Sequence, residues 1–443
     1  GLSLVGFFGV WFLTRALPVH WAFMDYGFLG YNVILTSMAL GGVFLIPSFR
    51  SYLLVLGLIP LTLLLSLALN GFVSRGGLGL LSLPFNVMVT LVLYTLYQRK
   101  GISRGLEIVW DQHVSPELNL YSQVSRRNRF KWHHVLPLSL PFWHEWTVSQ
   151  AHDGSVTHRA DWAHAWDFVM TDPTGLTHRD EGQFCEDYFS YNRPVLSPGD
   201  GLIEQTVDGI IDNAIGHVNL NHNWGNTVVI RHQESLYSQL SHLKKGSICV
   251  QKGQYVKKGE IVGYCGNSGR SAEPHLHFQI QATPLVGSRT LDFPLGYYWK
   301  RSRSQYELCQ YDKPKKGDYV SNLIQTTLLQ SAFIFLPGQK LIFDVTNQDN
   351  RVYRVEWEVT VDAWNQSYLY CSKTQSKAYF YNDGLIHYFR NFEGNRRSAL
   401  FYFFLALYKV PLEFKPQVII KDHFAPHHLT PSIIRFWIDF VAP

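Results

Sequence analysis

The sequence predicts a multidomain chain with an α-helical transmembrane region, then an all-β domain, then a β-rich C-terminal region. Three observations carry this. Residues 26–49, 51–74 and 76–98 contain no charged side chain. From Leu136 onward, short β-branched stretches such as Asn226-Thr227-Val228-Val229-Ile230-Arg231-His232 are punctuated by glycines, which is the pattern of many short strands. Further on, Val355-Glu356-Trp357-Glu358-Val359-Thr360-Val361 alternates apolar and polar, the period of a half-buried strand.

Each charge-free run exceeds the roughly 20 apolar residues needed to cross a bilayer. The run ending at Ala16 reads as the remains of another span. The first residue is Gly1, inside an apolar run with no cleavable signal pattern, and the expectation is that the natural N-terminus lies upstream. Of the charges, residues 1–98 carry only Arg15, Asp25, Arg50 and Arg75. The net charge of +5 over 443 residues shows no basic face and excludes a nucleic-acid partner. Five cysteines, widely spaced and without a close pair, argue against a Cys-rich metal site or a dense disulfide framework.

The third run is interrupted by Gly76-Gly77 and by Leu83-Pro84-Phe85-Asn86. A broken helix at membrane depth marks a permeation site or is a simple proline kink. Gly30-Tyr31-Asn32-Val33-Ile34-Leu35-Thr36 and Leu83-Pro84-Phe85-Asn86, four residues before Thr90, resemble the second half of a urea transporter. That family is built from two inverted repeats, each with such a half-helix beside the pore. The resemblance implies urea as a solute, an oligomer formed through the membrane region, and a lipid bilayer around it. Only about one repeat is present.

Residues 99–135 read as a linker or membrane-surface segment with a basic cluster at Arg126, Arg127, Arg129 and Lys131. Basic residues in Gln98-Arg99-Lys100-Gly101-Ile102-Ser103-Arg104 favour the cytoplasmic side for the domain downstream.

The chemistry concentrates in Pro274-His275-Leu276-His277-Phe278. On a strand, residues two apart share a face, so both imidazoles reach one point, and imidazole both binds zinc and carries protons. Upstream run Leu236-Tyr237-Ser238-Gln239-Leu240-Ser241-His242-Leu243 and Val256-Lys257-Lys258-Gly259-Glu260-Ile261-Val262-Gly263-Tyr264-Cys265-Gly266-Asn267-Ser268-Gly269-Arg270. In this order the segments resemble the lysostaphin-type zinc endopeptidases, which cleave peptidoglycan and have a duplicated hybrid motif with a barrel-like sheet.

The resemblance assigns residues 136–302 to a peptidase domain and implies a zinc ion held by one early His, one Asp and the second His of the pair. These are His277 and, by position, Asp167 in Trp166-Asp167-Phe168. The common spacing would put the early His at 163, which is alanine. His158 is taken first, His164 second and His152 third. His275 and His242 would then flank the attacking water, one handling its proton or steadying the oxyanion, the other assisting the leaving amine. His232 matches a frequent family position.

The resemblance further implies a peptidoglycan peptide as substrate and a multi-pass protein of a bacterial inner membrane. The peptidase side is expected to be periplasmic from the substrate, against the basic residues after the last span. The competing functions are a zinc-free peptide-binding domain of the same fold and a solute channel with a regulatory appendage. Residues 303–443 contain no chemical motif and are expected to form a β-sandwich-like accessory domain. The Asn365-Gln366-Ser367 glycosylation pattern is taken as chance.

Overall fold

The computed structural model describes residues 1–16, 26–76, 79–99, 105–109, 115–131, 134–346, 349–430 and 433–434. The basic residues expected to set sidedness at 100–104 lie outside them. The chain forms two compact units, Gly1–Lys131 with His423–Pro443, and Trp132–Asp422.

The first unit is helical. Helices α1 (Leu2–Ala16), α2 (Tyr26–Met38), α3 (Phe49–Val73) and α4 (Leu83–Gln98) are apolar nearly throughout. Among the described residues only α3, with 25 residues, is long and apolar enough to cross a membrane. The run 26–49 does not form one helix. A π-helical turn, Ala39–Val43, follows α2, and Leu45 then makes an isolated bridge to Ile108. Helices α1 and α2 approach so closely that a Cβ on Gly6 would lie 2.9 Å from Ser37 Oγ, the small-residue packing that membrane helices use.

The break in the third run is a helix start rather than a kink. Pro84 stands in the first turn of α4, where its missing N–H costs no helical bond. The buried side chain of Asn32 spans the break: its amide donates to Leu81 O at 2.9 Å and its oxygen accepts from Phe85 N–H at 3.2 Å. Backbone polar groups at a broken helix must find such partners where water is excluded. The expected linker 99–135 contains a fifth helix, α5 (Pro116–Phe130). Ser115 caps it, accepting from Leu118 N–H, with Glu117 in its first turn and Arg127 and Arg129 in its last, as the helix dipole favours.

The second unit is mostly β. Its strands are β1 (Glu145–Gln150), β2 (Ala165–Val169), β3 (Pro194–Leu196), β4 (Gly201–Val207), β5 (Asn226–Gln233), β6 (Leu236–Leu243), β7 (Tyr255–Val256), β8 (Ile261–Tyr264), β9 (Leu276–Gln281), β10 (Leu295–Ser302), β11 (Gln305–Asp312) and β12 (Tyr319–Asn322). All but β3 and β8, which pair with each other, join one sheet in the order β11-β10-β12-β1-β2-β9-β6-β5-β4-β7. A single core of Trp146, Trp166, Phe168, Val228, Ile230, Leu240, Leu276, Phe278 and Ile280, with others, backs it. The boundary expected after residue 302 falls in the turn of the β10–β11 hairpin, where Ser302 pairs with Gln305. Strands β11 and β12 therefore belong to the large sheet.

The C-terminal part is β-rich, and among the described residues it forms a single sheet rather than the two of a sandwich. One antiparallel sheet runs in sequence order through β13 (Lys340–Thr346), β14 (Val352–Val361), β15 (Ser367–Cys371), β16 (Ser376–Asn382), β17 (Ile386–Glu393) and β18 (Lys409–Pro411). The alternation read at 355–361 is real: Val355, Trp357 and Val359 are buried. The aromatic run after Ser398, inside the region expected to be β, is a helix (Ala399–Ala406) whose first turn Ser398 caps. It covers the sheet, with Phe403 4.9 Å from Trp357 between ring centres. A last strand, β19 (Val418–Ile419), returns to pair in parallel with β11. Glu413 accepts from the Trp299 indole N–H at 2.7 Å, tying the accessory sheet to the large one.

Candidate metal centre and active site

Strands β2 and β9 are antiparallel neighbours, and their register sets Asp167 opposite His277. On the other side of β9, His277 stands opposite Ser241 of β6. The loop between β1 and β2 carries His158 back over this point. Asp167 Oδ1 then lies 2.9 Å from His277 Nδ1 and 3.2 Å from His158 Nε2. All three residues are buried, and their ligand atoms lie within 4.8 Å of one another.

The hydrogen bonds behind these atoms fix which nitrogen is free. His158 Nδ1–H donates to Ala151 O at 2.9 Å, which leaves the buried Nε2 to face Asp167 Oδ1 and to offer its lone pair to a metal when it carries no proton. His277 is fixed by a relay along β9. The Gln281 amide nitrogen donates to Thr283 O and Leu285 O. Its oxygen therefore accepts from the Gln279 amide at 2.7 Å, which also donates to Ser288 O. The Gln279 oxygen is left to accept from His277 Nε2–H at 3.0 Å. His277 Nδ1 is thus the nitrogen left facing Asp167 Oδ1, at hydrogen-bond distance while a proton lies between them, and its lone pair is the one available to a metal when that proton is gone. Two neutral imidazole nitrogens and a carboxylate, each oriented from behind, fit a metal ion.

Gln150 braces the carboxylate. Its amide donates to Asp167 Oδ2 at 2.7 Å and to Thr157 Oγ1 at 2.6 Å. Its oxygen accepts from the backbone N–H groups of Val156 and Thr157. One side chain thus holds Asp167 and the loop that presents His158. Burial opposes ionisation of Asp167, but hydrogen bonds from His158 and His277 and the nearby imidazoles outweigh it and hold the carboxyl well below its usual range. Burial likewise opposes charge on His158, and the hydrogen bond and charge of Asp167 reverse it, raising that imidazole above its ordinary value.

His275 and His242 stand beside this set, with ring centres 4.8 Å apart. His275 Nδ1–H donates to Glu273 O at 2.8 Å, leaving Nε2 3.9 Å from Asp167 Oδ1. His242 has a positive φ of 62°, unusual for a residue with a Cβ. Strand β6 bulges here: Asn226 faces Leu243 while Val228 faces Leu240. Simple alternation would turn His242 away from the face of Ser241, and the bulge instead brings its ring within 5.8 Å of His277. Its Nδ1–H donates to Ser268 O at 2.8 Å. Burial, then the imidazoles of His275 and His277, push it well below the ordinary histidine range, so it is neutral at pH 7.

Of the expected early ligands, only His158 joins this set. His164 and His152 gather instead around Asp292, and His232 bonds to Asp200 O and Ser238 Oγ. A cavity of about 910 Å³ opens onto Asp167 and His275 and is also lined by His152, His164 and Asp292. Sequence reasoning missed Gln150, Gln279 and Gln281. The last two had a visible signal, since polar residues continue at every second position after His275 and His277 while Leu276, Phe278 and Ile280 fill the other face.

Two separate regions of the chain are similar to known proteins. Residues 187–288 match the family described as peptidase family M23, and residues 1–97 match the urea transporter family. The M23 match contains His242, His275 and His277, while His158 and Asp167 precede it. The peptidoglycan DD-endopeptidase ShyA of Vibrio cholerae is 38% identical over 88 residues, 20% of this chain and 17% of that protein. Lysostaphin of Staphylococcus staphylolyticus is 36% identical over 73 residues, 16% of this chain and 15% of that protein. The match to ShyA thus spans about a sixth of that relative's length. The solved catalytic domain of lysostaphin from Staphylococcus simulans aligns at 20% identity with a TM-score of 0.22, covering 34% of this chain and 88% of that one. Behind an N-terminal helical region similar to urea transporters, this chain carries a metallopeptidase domain of family M23.

Proposed function

We propose that the chain is a membrane-anchored zinc endopeptidase that hydrolyses a peptide bond in peptidoglycan. The observation that carries this reading is the convergence of His158 Nε2, Asp167 Oδ1 and His277 Nδ1, with the far nitrogen of each imidazole already tied to an oxygen acceptor. Two imidazoles and one carboxylate suit zinc and leave a fourth position open. When bound there, zinc supplies Lewis acidity to the scissile carbonyl and lowers the pKa of water.

The chain's own residues do the rest. Asp167 and Gln150 keep the ligand loop in place, which sets where the peptide carbonyl must lie. His242 is neutral, and with Nδ1–H committed to Ser268 O it presents Nε2 as an acceptor for the proton of the attacking water. His242 then hands that proton on to the leaving amine, beside His275, which is anchored through Nδ1–H to Glu273 O and turns Nε2 to the cleft. The cavity of about 910 Å³ beside Asp167 and His275 is where the peptide would lie. The similarity to a peptidoglycan DD-endopeptidase and to lysostaphin supports peptidoglycan as the substrate.

Anchoring rests on α3 and on the urea transporter match. The further helices α1, α2 and α4 extend this to a multi-pass arrangement in a bacterial inner membrane, with the peptidase domain periplasmic, facing its polymer. Urea passage and self-association through this region are parts of the same reading, and both need the complete natural chain.

The test is release of peptides from purified peptidoglycan by the full chain in detergent. Zinc-loaded protein is expected to cleave, and protein stripped by a chelator or carrying His277→Ala is not. Cleavage by the stripped protein at the same rate would refute the assignment.

A further inference from the structure

We propose that His152, His164 and Asp292 form a second transition-metal site, on the cleft wall and separate from His158, Asp167 and His277. His152 Nδ1 lies 3.4 Å and His164 Nδ1 4.0 Å from Asp292 Oδ1, and the ligand atoms of the three residues fall within 4.8 Å of one another. Metal–nitrogen distances of about 2.0–2.1 Å in a tetrahedral site put neighbouring ligand atoms roughly 3.3 Å apart, so the set needs only a small closure.

The histidines are held for this. His152 has only 10% of its side chain exposed and packs on Trp166, with ring centres 4.1 Å apart. The His164 backbone N–H donates to Thr290 Oγ1 at 3.0 Å, and its ring centre is 5.2 Å from that of His152. Neither nitrogen of His152, nor Nδ1 of His164, has a hydrogen-bond partner among the described residues. Buried imidazole nitrogens are ordinarily paired, and two of them aimed at one carboxylate ask for a shared cation. Two imidazoles and a carboxylate select a borderline divalent ion of the zinc, cobalt or nickel kind over magnesium or calcium.

Lys313 supplies the positive charge meanwhile. Its ammonium sits on Asp292 Oδ1, the same oxygen that faces both imidazoles. A metal ion entering the set would displace this ammonium, and the lysine, with 40% of its side chain exposed, can move to water. The second site is therefore the weaker of the two, and Lys313 sets how much weaker. This inference stands apart from the peptidase reading, since it uses none of the three residues that reading needs for its metal.

The experiment is a titration of the full, metal-stripped chain in detergent with Zn²⁺ and, for its visible bands, Co²⁺. Two equivalents are expected, one tight and one weaker. Asp292→Asn, at a half-exposed side chain, should weaken the second equivalent at least tenfold and leave the first unchanged. Lys313→Ala should tighten the second by about fivefold, the worth of a partly exposed ion pair. His277→Ala should remove the tight equivalent and keep the weaker. A single equivalent in the wild type, or a second one indifferent to both Asp292→Asn and Lys313→Ala, would overturn the inference. A single equivalent lost in His277→Ala would do so while leaving the peptidase reading intact.

Discussion

Asp167 Oδ1 and His277 Nδ1 lie 2.9 Å apart because β2 and β9 pair in a register that sets the two residues opposite each other. A one-residue slip in that pairing would send one of them to the other face of the sheet. The strand register is therefore part of the site, and the side chains that lock it are where its metal affinity is most easily changed.

Gln150 is the first such lock. Gln150→Ala removes the support of Asp167 Oδ2 and frees the loop bearing His158. Loss of an orienting partner behind a metal ligand typically costs 10–100-fold in affinity, and that range is expected in a competition titration against a chelator. The same affinity as wild type would show that the loop is held elsewhere.

Gln279→Leu should have a comparable effect by a different route. It takes away the acceptor for His277 Nε2–H and so the preference that keeps the lone pair on Nδ1. Gln279→Glu restores an acceptor, so its zinc affinity should stay near that of wild type. A leucine variant that binds metal as well as the glutamate variant would remove the relay from the account.

The pH dependence of metal uptake has a definite sign. In the metal-free chain the His158 pKa is raised, so a proton occupies the imidazole below that value and must leave when metal binds. Apparent affinity should fall as pH is lowered through the raised His158 value, by roughly tenfold per unit once the proton is bound. The linkage has a second side: in the metal-free chain the His158–Asp167 interaction stabilises fully below about pH 6.5, and this contribution of His158 is lost as pH rises through its folded value. Chelator competition between about pH 8 and 5.5 measures the first effect, and a flat profile would contradict it.

His387 tests the accessory sheet. It is fully buried among Phe333, Phe335, Phe380 and Phe389, neither ring nitrogen has a hydrogen-bond partner among the described residues, and burial pushes its pKa down to about 3. The folded value lies below the unfolded one, so the unfolded chain binds the extra proton and stability falls as pH drops below about 6.5. The slope approaches about 1.4 kcal/mol per pH unit. His387→Phe should flatten that slope in thermal unfolding between about pH 7 and 5, and an unchanged slope would place the acid sensitivity in other groups.

Asn32 does the corresponding work in the helical unit. Asn32→Leu leaves the Phe85 N–H and Leu81 carbonyl without this partner, a loss of about 1–3 kcal/mol for buried polar groups. It should lower the unfolding temperature of the full chain in detergent, whereas Thr95→Ala, exposed on α4, should not. Equal stability of Asn32→Leu and wild type would show that the break is satisfied by other groups.

Much of this was legible in the sequence. The histidine pair, its apolar alternation and the glycine-punctuated strands before it define the large sheet and the position of His277. The charge-free runs and the interruption at Leu83-Pro84-Phe85-Asn86 give the helical region, but the helix end inside 26–49 is not visible, because apolar composition is blind to a π-turn at Ala39–Val43. His158 was chosen over His164 by likeness alone. The structure separates them because the β1–β2 loop folds back through Gln150, a contact between residues far apart in the pattern of motifs. The helix after Ser398 departs from the β expectation for 303–443 because an aromatic run suits a strand or a buried helix equally, and the Ser398 cap decides between them.

The central claim is that His158, Asp167 and His277 hold the tightly bound metal. Its most direct test is the metal content of the full chain after gel filtration, compared between His158→Ala and His164→Ala. The account predicts that His158→Ala loses the tight equivalent and His164→Ala keeps it. Retention in His158→Ala together with loss in His164→Ala would contradict it.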